Sequence, residues 1–313
     1  MHEDPVNVVF IAGAGRSGST VLDNILGNVD AFVSVGELRY IWERGFVDDR
    51  LCGCGLAFST CPFWQRVVHD AFGDPPEVDP RRMMELQQRG TRVRHVPAIL
   101  RSAGSGSRLL AGMDEYPSMM ERLYRSIRDV SGARVVVDSS KLPAYGHVVD
   151  RLPGVRMRIV HLIRDPRATA WSWLRKKALP DVGDSATMQQ QRPLKASALW
   201  SVWNWTADRL WSGRADDYLR VRYEDFVRAP KETVEAILRL VGEGGRPTPY
   251  TSPSTVRLSA THSVAGNPSR FKTGDIELRV DDEWSREMPA RSRAIVKSMT
   301  WPLLRRYGYG ARS

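Results

Sequence analysis

The chain is poor in cysteine, has no long apolar run and carries fewer acids than bases. Its three cysteines all fall between Cys52 and Cys61, in CGCGLAFSTCPFW. They are too few for a tetrahedral metal site unless a residue such as His69 joins them. Free thiols or a single disulfide are the other readings, and no catalytic part is assigned to them. No apolar run reaches the roughly 18 residues of a membrane span. The N-terminal MHEDPVNVVF places acids directly before an apolar run, so a signal peptide is not expected and the expected location is cytoplasmic. Lys and Arg outnumber Asp and Glu by 46 to 36, a formal charge of +10 that favours anionic partners. Arginine spread along the chain also fits a merely solvated basic surface. At 313 residues and 42% hydrophobic content the chain supports one large core, and one domain over residues 1–313 is expected.

The most informative stretch is VVFIAGAGRSGSTVLDNILG, Val8 to Gly27. Val8 to Ile11 has the composition of a buried parallel strand, and Val21, Leu22, Ile25 and Leu26 resume with helical spacing. Between them Gly13, Gly15 and Gly18 permit close backbone approach, so N–H groups can converge on an anion at the helix N-terminus. The spacing Gly13-x4-Gly18 approaches the nucleotide-triphosphatase loop, but the lysine that should follow is absent and Ser19 stands there. The cation has moved to Arg16, whose planar fork of donors suits a phosphate or sulfate.

Further buried-strand signatures occur at Ala31–Val35, Arg134–Asp138, Met157–Ile163 and Tyr218–Tyr223, with helical patterns between them. The predicted fold is therefore α/β, a parallel sheet flanked by helices. In such sheets ligands sit beyond the carboxyl ends of the strands, and there the sequence places Glu37, Lys141 and Arg164. Glu37 fits a base, with a cap of the Leu38–Arg44 turn or a partner of Arg39 as the alternative. Lys141 fits a donor to a bridging oxygen on a leaving phosphate, or an exposed lysine opening a helix. Arg164 and Ser172, at a strand end and two turns into the next helix, can hold one phosphate. Asp138 is the sole acid after an apolar run that resembles a magnesium-binding strand end, and Lys141 outweighs it.

Residues 66–130 read as irregular helices, broken at Gly73-Asp74-Pro75-Pro76 and from Ser102 to Ser107. They are expected to form a helical insertion over the sheet rim. Basic but without interleaved aromatics, they do not read as a nucleic-acid surface. The helix Lys195–Trp211 carries Trp200, Trp203, Trp205 and Trp211 at core spacing. The tail 259–284 holds His262, Ser263, Asn267, Arg270 and Lys272, a polar set able to close over a bound anion.

These motifs in this order resemble the PAPS-dependent sulfotransferases. GRSGST at Gly15–Thr20 is similar to the arginine version of the 5′-phosphosulfate loop found in tyrosylprotein, carbohydrate and many bacterial members. IRDPRATAWS at Ile163–Ser172 is similar to the 3′-phosphate motif. VGELRYI at Val35–Ile41 and SSKLP at Ser139–Pro143 resemble the tyrosylprotein segments that carry the base and the catalytic lysine. The resemblance implies a P-loop-type sheet and transfer of a sulfuryl group from PAPS, leaving PAP, to a hydroxyl or an amine of a small molecule, glycan or lipid. It implies Gly15, Arg16, Ser17, Gly18, Ser19 and Thr20 on the 5′ side, Arg164 and Ser172 on the 3′ side, Glu37 as base and Lys141, with Arg16, as electrophilic helper. Tyr223 and Arg270 join the cofactor set, and His262 is the alternative base. No metal is implied for the transfer and no nucleic acid as partner. The helices of 66–130 are expected to select the acceptor, and their CGCG…CPFW stretch departs from the tyrosylprotein pattern. A P-loop kinase or a non-catalytic nucleotide- or nucleic-acid-binding protein are the alternatives.

Overall fold

The structure, a computed structural model, describes residues 4–102, 114–182 and 186–310. Its centre is a parallel sheet of β1 (Val6–Gly13), β2 (Phe32–Gly36), β3 (Val135–Lys141), β4 (Val155–Ile163) and β5 (Tyr218–Arg222), in spatial order β2-β3-β1-β4-β5. The apolar runs read from the sequence are these strands because both faces of the sheet are covered. Val8, Phe10 and Ala12 of β1 face one side and Val9 and Ile11 the other, all fully buried.

On the second side lie α1 (Ser19–Leu26), α9 (Tyr223–Arg228) and α10 (Pro230–Leu240). Leu22, Ile25 and Leu26 pack there with Phe226, Val234 and Ile237. On the first side lie α2 (Pro62–Phe72), α3 (Pro80–Thr91), α4 (Val96–Ser102), α5 (Glu115–Ser131) and α6 (Pro143–Val149). The helices of 66–130 were expected over the rim; instead α2 packs on α5, and Phe72, Leu123 and Ile127 join the core beneath β1 and β3. Of the second break, residues 103–107 lie outside the described residues. After β4 comes α7 (Pro166–Leu174), started by Asp165, whose carboxylate accepts the Arg167 N–H. Then follows α8 (Pro193–Trp211), whose Trp200, Trp203 and Trp211 are buried as expected, while Trp205 is 45% exposed and is not core. The chain ends with the hairpin β6 (Thr255–Leu258) and β7 (Gly274–Glu277), then α11 (Trp284–Glu287) and α12 (Ala290–Arg306). No described helix is long and apolar enough to cross a membrane.

One buried carboxyl tunes the stability of this arrangement. Asp23, on α1 beneath the sheet edge, accepts the Ser34 hydroxyl and is 1% exposed. Burial pushes its pKa up to about 7, with the nearby Asp138 adding to the shift. The folded chain thus keeps a proton that the unfolded chain releases, and this contribution is lost as pH rises from about 4 through about 7. Asp23→Asn, which needs no proton, should therefore gain on the wild type as pH rises, by a few kcal/mol at pH 8 and little at pH 4. Urea unfolding at the two pH values measures it, and a gain independent of pH would mean that Asp23 is not the titrating group.

Candidate active site

Each of the five parallel strands delivers a residue or loop to one cavity of about 480 Å³ at their carboxyl edge. The loop after β1 brings Gly15 to Thr20, β2 is followed by Glu37, β3 ends at Lys141, β4 is followed by Arg164 and β5 by Tyr223. The register makes these ends neighbours, since Gly13 pairs with Leu162, Ala12 with Lys141 and Gly36 with Asp138.

The first loop is held open by what packs against it. Gly18 has φ 91, and a Cβ there would meet the Tyr223 ring at 2.4 Å. A Cβ on Gly15 would meet Trp173 at 2.9 Å. Both positions thus exclude side chains, and α1 begins with its N–H groups toward the cavity. Ser19 and Thr20 line it, and Thr20 Oγ1 accepts the Asn267 N–H at 3.2 Å from the tail. Ser17 does not line it; its buried hydroxyl has no hydrogen-bond partner among the described residues. Arg16 stands at φ 68, in the left-handed region, with its guanidinium 4.6 Å over the Trp173 ring. Burial lowers its pKa from the ordinary value while Glu37 opposes the shift, the mark of a cation short of water.

Across the cavity Lys141 Nζ lies 2.7 Å from Glu37 Oε1 and donates to the Ser139 carbonyl at 3.0 Å. Lys141 is also left-handed, at φ 67. Burial alone would raise the Glu37 pKa, but Lys141, then Arg44 and Arg39, more than offset it and hold the carboxyl below its ordinary value. Arg39 and Arg44 stack on the Tyr40 ring at 4.2 and 4.0 Å, on the short 3-10 and π-helical turns that follow β2.

The third cluster is built on β4 and α7. Arg164 donates to the Arg16 carbonyl at 3.2 Å, lies 4.6 Å over the Tyr223 ring and pairs with Asp281 at 3.0 Å. Its Nε is buried without a partner among the described residues. Ser172 and Thr169 on α7 line the same end, the Thr169 hydroxyl likewise without a partner among the described residues. Lys177 faces Arg16, Arg175 and Arg164, and burial first, then these like charges, draws its pKa down to about 8. Sequence reading missed Lys177, Trp173 and Asp281. The run RKK at 175–177 was a signal for the first, whereas Asp281 sits in a stretch with no pattern.

Two expected residues lie elsewhere. Arg270 does not line the cavity: it is 2% exposed, donates to the Ser263 and Leu51 carbonyls at 2.7 and 2.8 Å, and pairs with Asp181 at 3.0 Å. With these donors committed to Ser263, Leu51 and Asp181 it braces the tail. His262 is also outside the cavity, its Nδ1 directed at the cysteine sulfurs, so it is not placed to act as a base. Of the rest of the tail, Gly266, Asn267, Ser269 and Asp281 reach the cavity, while Ser263 and Lys272 do not. Asp138 is turned into the core, where it accepts the Tyr124 hydroxyl at 2.6 Å and the Ser140 N–H at 2.8 Å.

None of the described residues of 66–130 lines this cavity. A neighbouring cavity of about 580 Å³ shares Arg39, Tyr40, Leu142 and Trp203 with it and is closed on its far side by Met84 and Gln87 of α3.

No curated protein matches the chain in sequence. Among solved structures it is similar in fold to the sulfotransferase domain of the Synechococcus PCC 7002 olefin synthase, at 18% identity and TM-score 0.52 over 96% of each chain. It is likewise similar to the sulfotransferase domain of the curacin biosynthetic pathway, at 16% identity and TM-score 0.53, covering 96% of this chain and 98% of that one. A model of the sulfotransferase family matches residues 8–244. By that match over most of its length the chain belongs to the sulfotransferase family.

Proposed function

We propose that this chain moves a sulfuryl group from PAPS to a hydroxyl of a small-molecule, glycan or lipid acceptor. The observation that carries the reading is the placement of a buried carboxylate–lysine pair, Glu37 and Lys141, between two separate sets of anion donors. The orphaned Arg16 Nε, Arg164 Nε and Thr169 hydroxyl are buried groups that an anionic ligand would satisfy. The loop Gly15–Thr20 with Arg16 would hold the 5′ side of the donor and Arg164 with Ser172 the 3′-phosphate, with Tyr223 supporting Arg164 from beneath.

The donor supplies an activated sulfuryl group on a phosphate leaving group. Glu37 takes the proton of the acceptor hydroxyl as its oxygen bonds to sulfur, and Lys141 and Arg16 donate to the phosphate side, where charge grows as the S–O bond breaks. Lys141 must leave Glu37 to do so. The carboxylate then loses the partner that holds its pKa down and becomes a stronger base at the moment it is needed. The acceptor enters past Arg39, Tyr40, Leu142 and Trp203, the residues shared with the α3 cavity, which gives the helical segment its part in specificity.

A thermal-shift series with PAP, PAPS, ATP and ATP with magnesium tests this. PAP and PAPS should raise Tm by several degrees without metal, since at about 100 times Kd a ligand adds about 2.7 kcal/mol. A larger shift with ATP and magnesium would overturn the reading in favour of a kinase.

A further inference from the structure

We propose that Cys52, Cys54, Cys61 and His262 bind one structural zinc ion. The one-nitrogen, three-sulfur set is drawn from three separate places in the chain: the loop before α2, the first residue ahead of α2, and the tail between β6 and β7. Their ligand atoms all lie within 4.8 Å of one another. The Sγ of Cys61 is 3.7 Å from those of both Cys52 and Cys54, and His262 Nδ1 is 3.5 Å from Cys61 Sγ and 3.8 Å from Cys52 Sγ. With Zn–S of about 2.3 Å and Zn–N of about 2.05 Å, a regular tetrahedron has S–S edges of about 3.75 Å and S–N edges of about 3.55 Å. These four of the six separations fall within about 0.3 Å of those edges, and the other two, Cys52–Cys54 and Cys54–His262, are no longer than 4.8 Å. A disulfide needs about 2.05 Å, so at 3.7 Å neither pair is bonded, and the three thiols are free.

The surroundings are those of a closed site. Cys52 and Cys61 are buried, and the His262 ring stacks on Phe63 at 4.5 Å, with 13° between the planes. Trp64 Nε1 donates to the His262 carbonyl at 3.0 Å, which fixes the backbone on which the imidazole is carried. His69, the partner considered from sequence, is exposed and takes no part. Four protein ligands leave no open position, and none of the four lines the active-site cavity, so the ion would hold structure and not react.

What it would hold is the tail. His262 is followed by Val264, whose N–H donates to the Val35 carbonyl, and by Ala265, whose carbonyl accepts the Glu37 N–H at 3.0 Å. Two residues further Asn267 donates to Thr20. An ion at His262 would thus anchor the segment that sets the backbone of the base and closes the phosphate loop.

Protein produced in zinc-supplemented medium and purified without chelator or a metal-binding tag should carry about one zinc per chain by elemental analysis, and Cys61→Ser and His262→Ala fewer than about 0.2. Because either variant could fail to fold, wild-type protein stripped with chelator provides a second reading. Adding cobalt(II) should give the intense d–d bands of a tetrahedral site with thiolate-to-cobalt charge transfer, and adding zinc should restore Tm. Metal-free protein whose Tm ignores zinc, full zinc content in Cys61→Ser, or a Cys52–Cys61 disulfide by mass spectrometry would each overturn the proposal. None of these readings depends on PAPS binding or turnover.

Discussion

Glu37→Gln should leave the protein folded and still stabilised by PAP, while kcat falls by about 10²–10⁴-fold. Glutamine keeps an oxygen that can accept from Lys141, so the buried ammonium is not stranded, and only the ability to take a proton is removed. A second measurement separates this from a packing effect. In the wild type the acid limb of kcat/KM, which reports the free enzyme, should lie below the ordinary carboxylate range because Lys141, Arg44 and Arg39 outweigh burial there. The acid limb of kcat should lie higher, since Lys141 has by then turned to the donor. Activity is lost as pH falls through each of these values, and both limbs should vanish in the variant. Loss of the PAP thermal shift together with turnover would make Glu37 structural.

Arg164→Ala should weaken PAP binding by about 100-fold, the scale of two charge-assisted hydrogen bonds of about 1.5–3 kcal/mol each, offset by the contact already made with Asp281. Adenosine 5′-phosphosulfate, which lacks the 3′-phosphate, should lose only several-fold, the cost of releasing the Arg16 carbonyl that Arg164 braces. Calorimetric titration of both ligands decides it. Equal losses would assign Arg164 to shaping the first loop alone. Because Arg164 already pairs with Asp281, a 3′-phosphate bound there would take the place of an internal carboxylate at one guanidinium nitrogen while giving the unpartnered Nε a partner.

The parallel strands could be read from sequence because burial on both faces leaves unbroken apolar runs such as Val135–Val137 and Ile159–Ile163, and the site residues because chemistry in such sheets gathers where those runs stop. Glu37, Lys141 and Arg164 followed from that rule. Arg270 shows its limit: residue type told that a cation was present in the tail, but only packing against Ser263, Leu51 and Asp181 says which way it points. The helices of 66–130 show a similar limit. Periodicity reveals that a face is apolar and not what covers it, so the core packing of α2 and α5 and the place of α3 beside the second cavity could not be told apart. His262 was out of reach because it joins Cys61 across 201 residues, whereas His69 was merely near in sequence. Asp281 left no trace, lying where no period or motif marks the chain.

At position 16 the fold and the chemistry favour different residues. The backbone there is left-handed, at φ 68, where a glycine is about 1–2 kcal/mol more at ease, and its side chain is a cation kept from water. A library sorted for thermal tolerance alone will drift toward glycine at this position and discard the guanidinium proposed to grip the donor. Any attempt to harden this protein for use outside its host must therefore hold residue 16 fixed by hand.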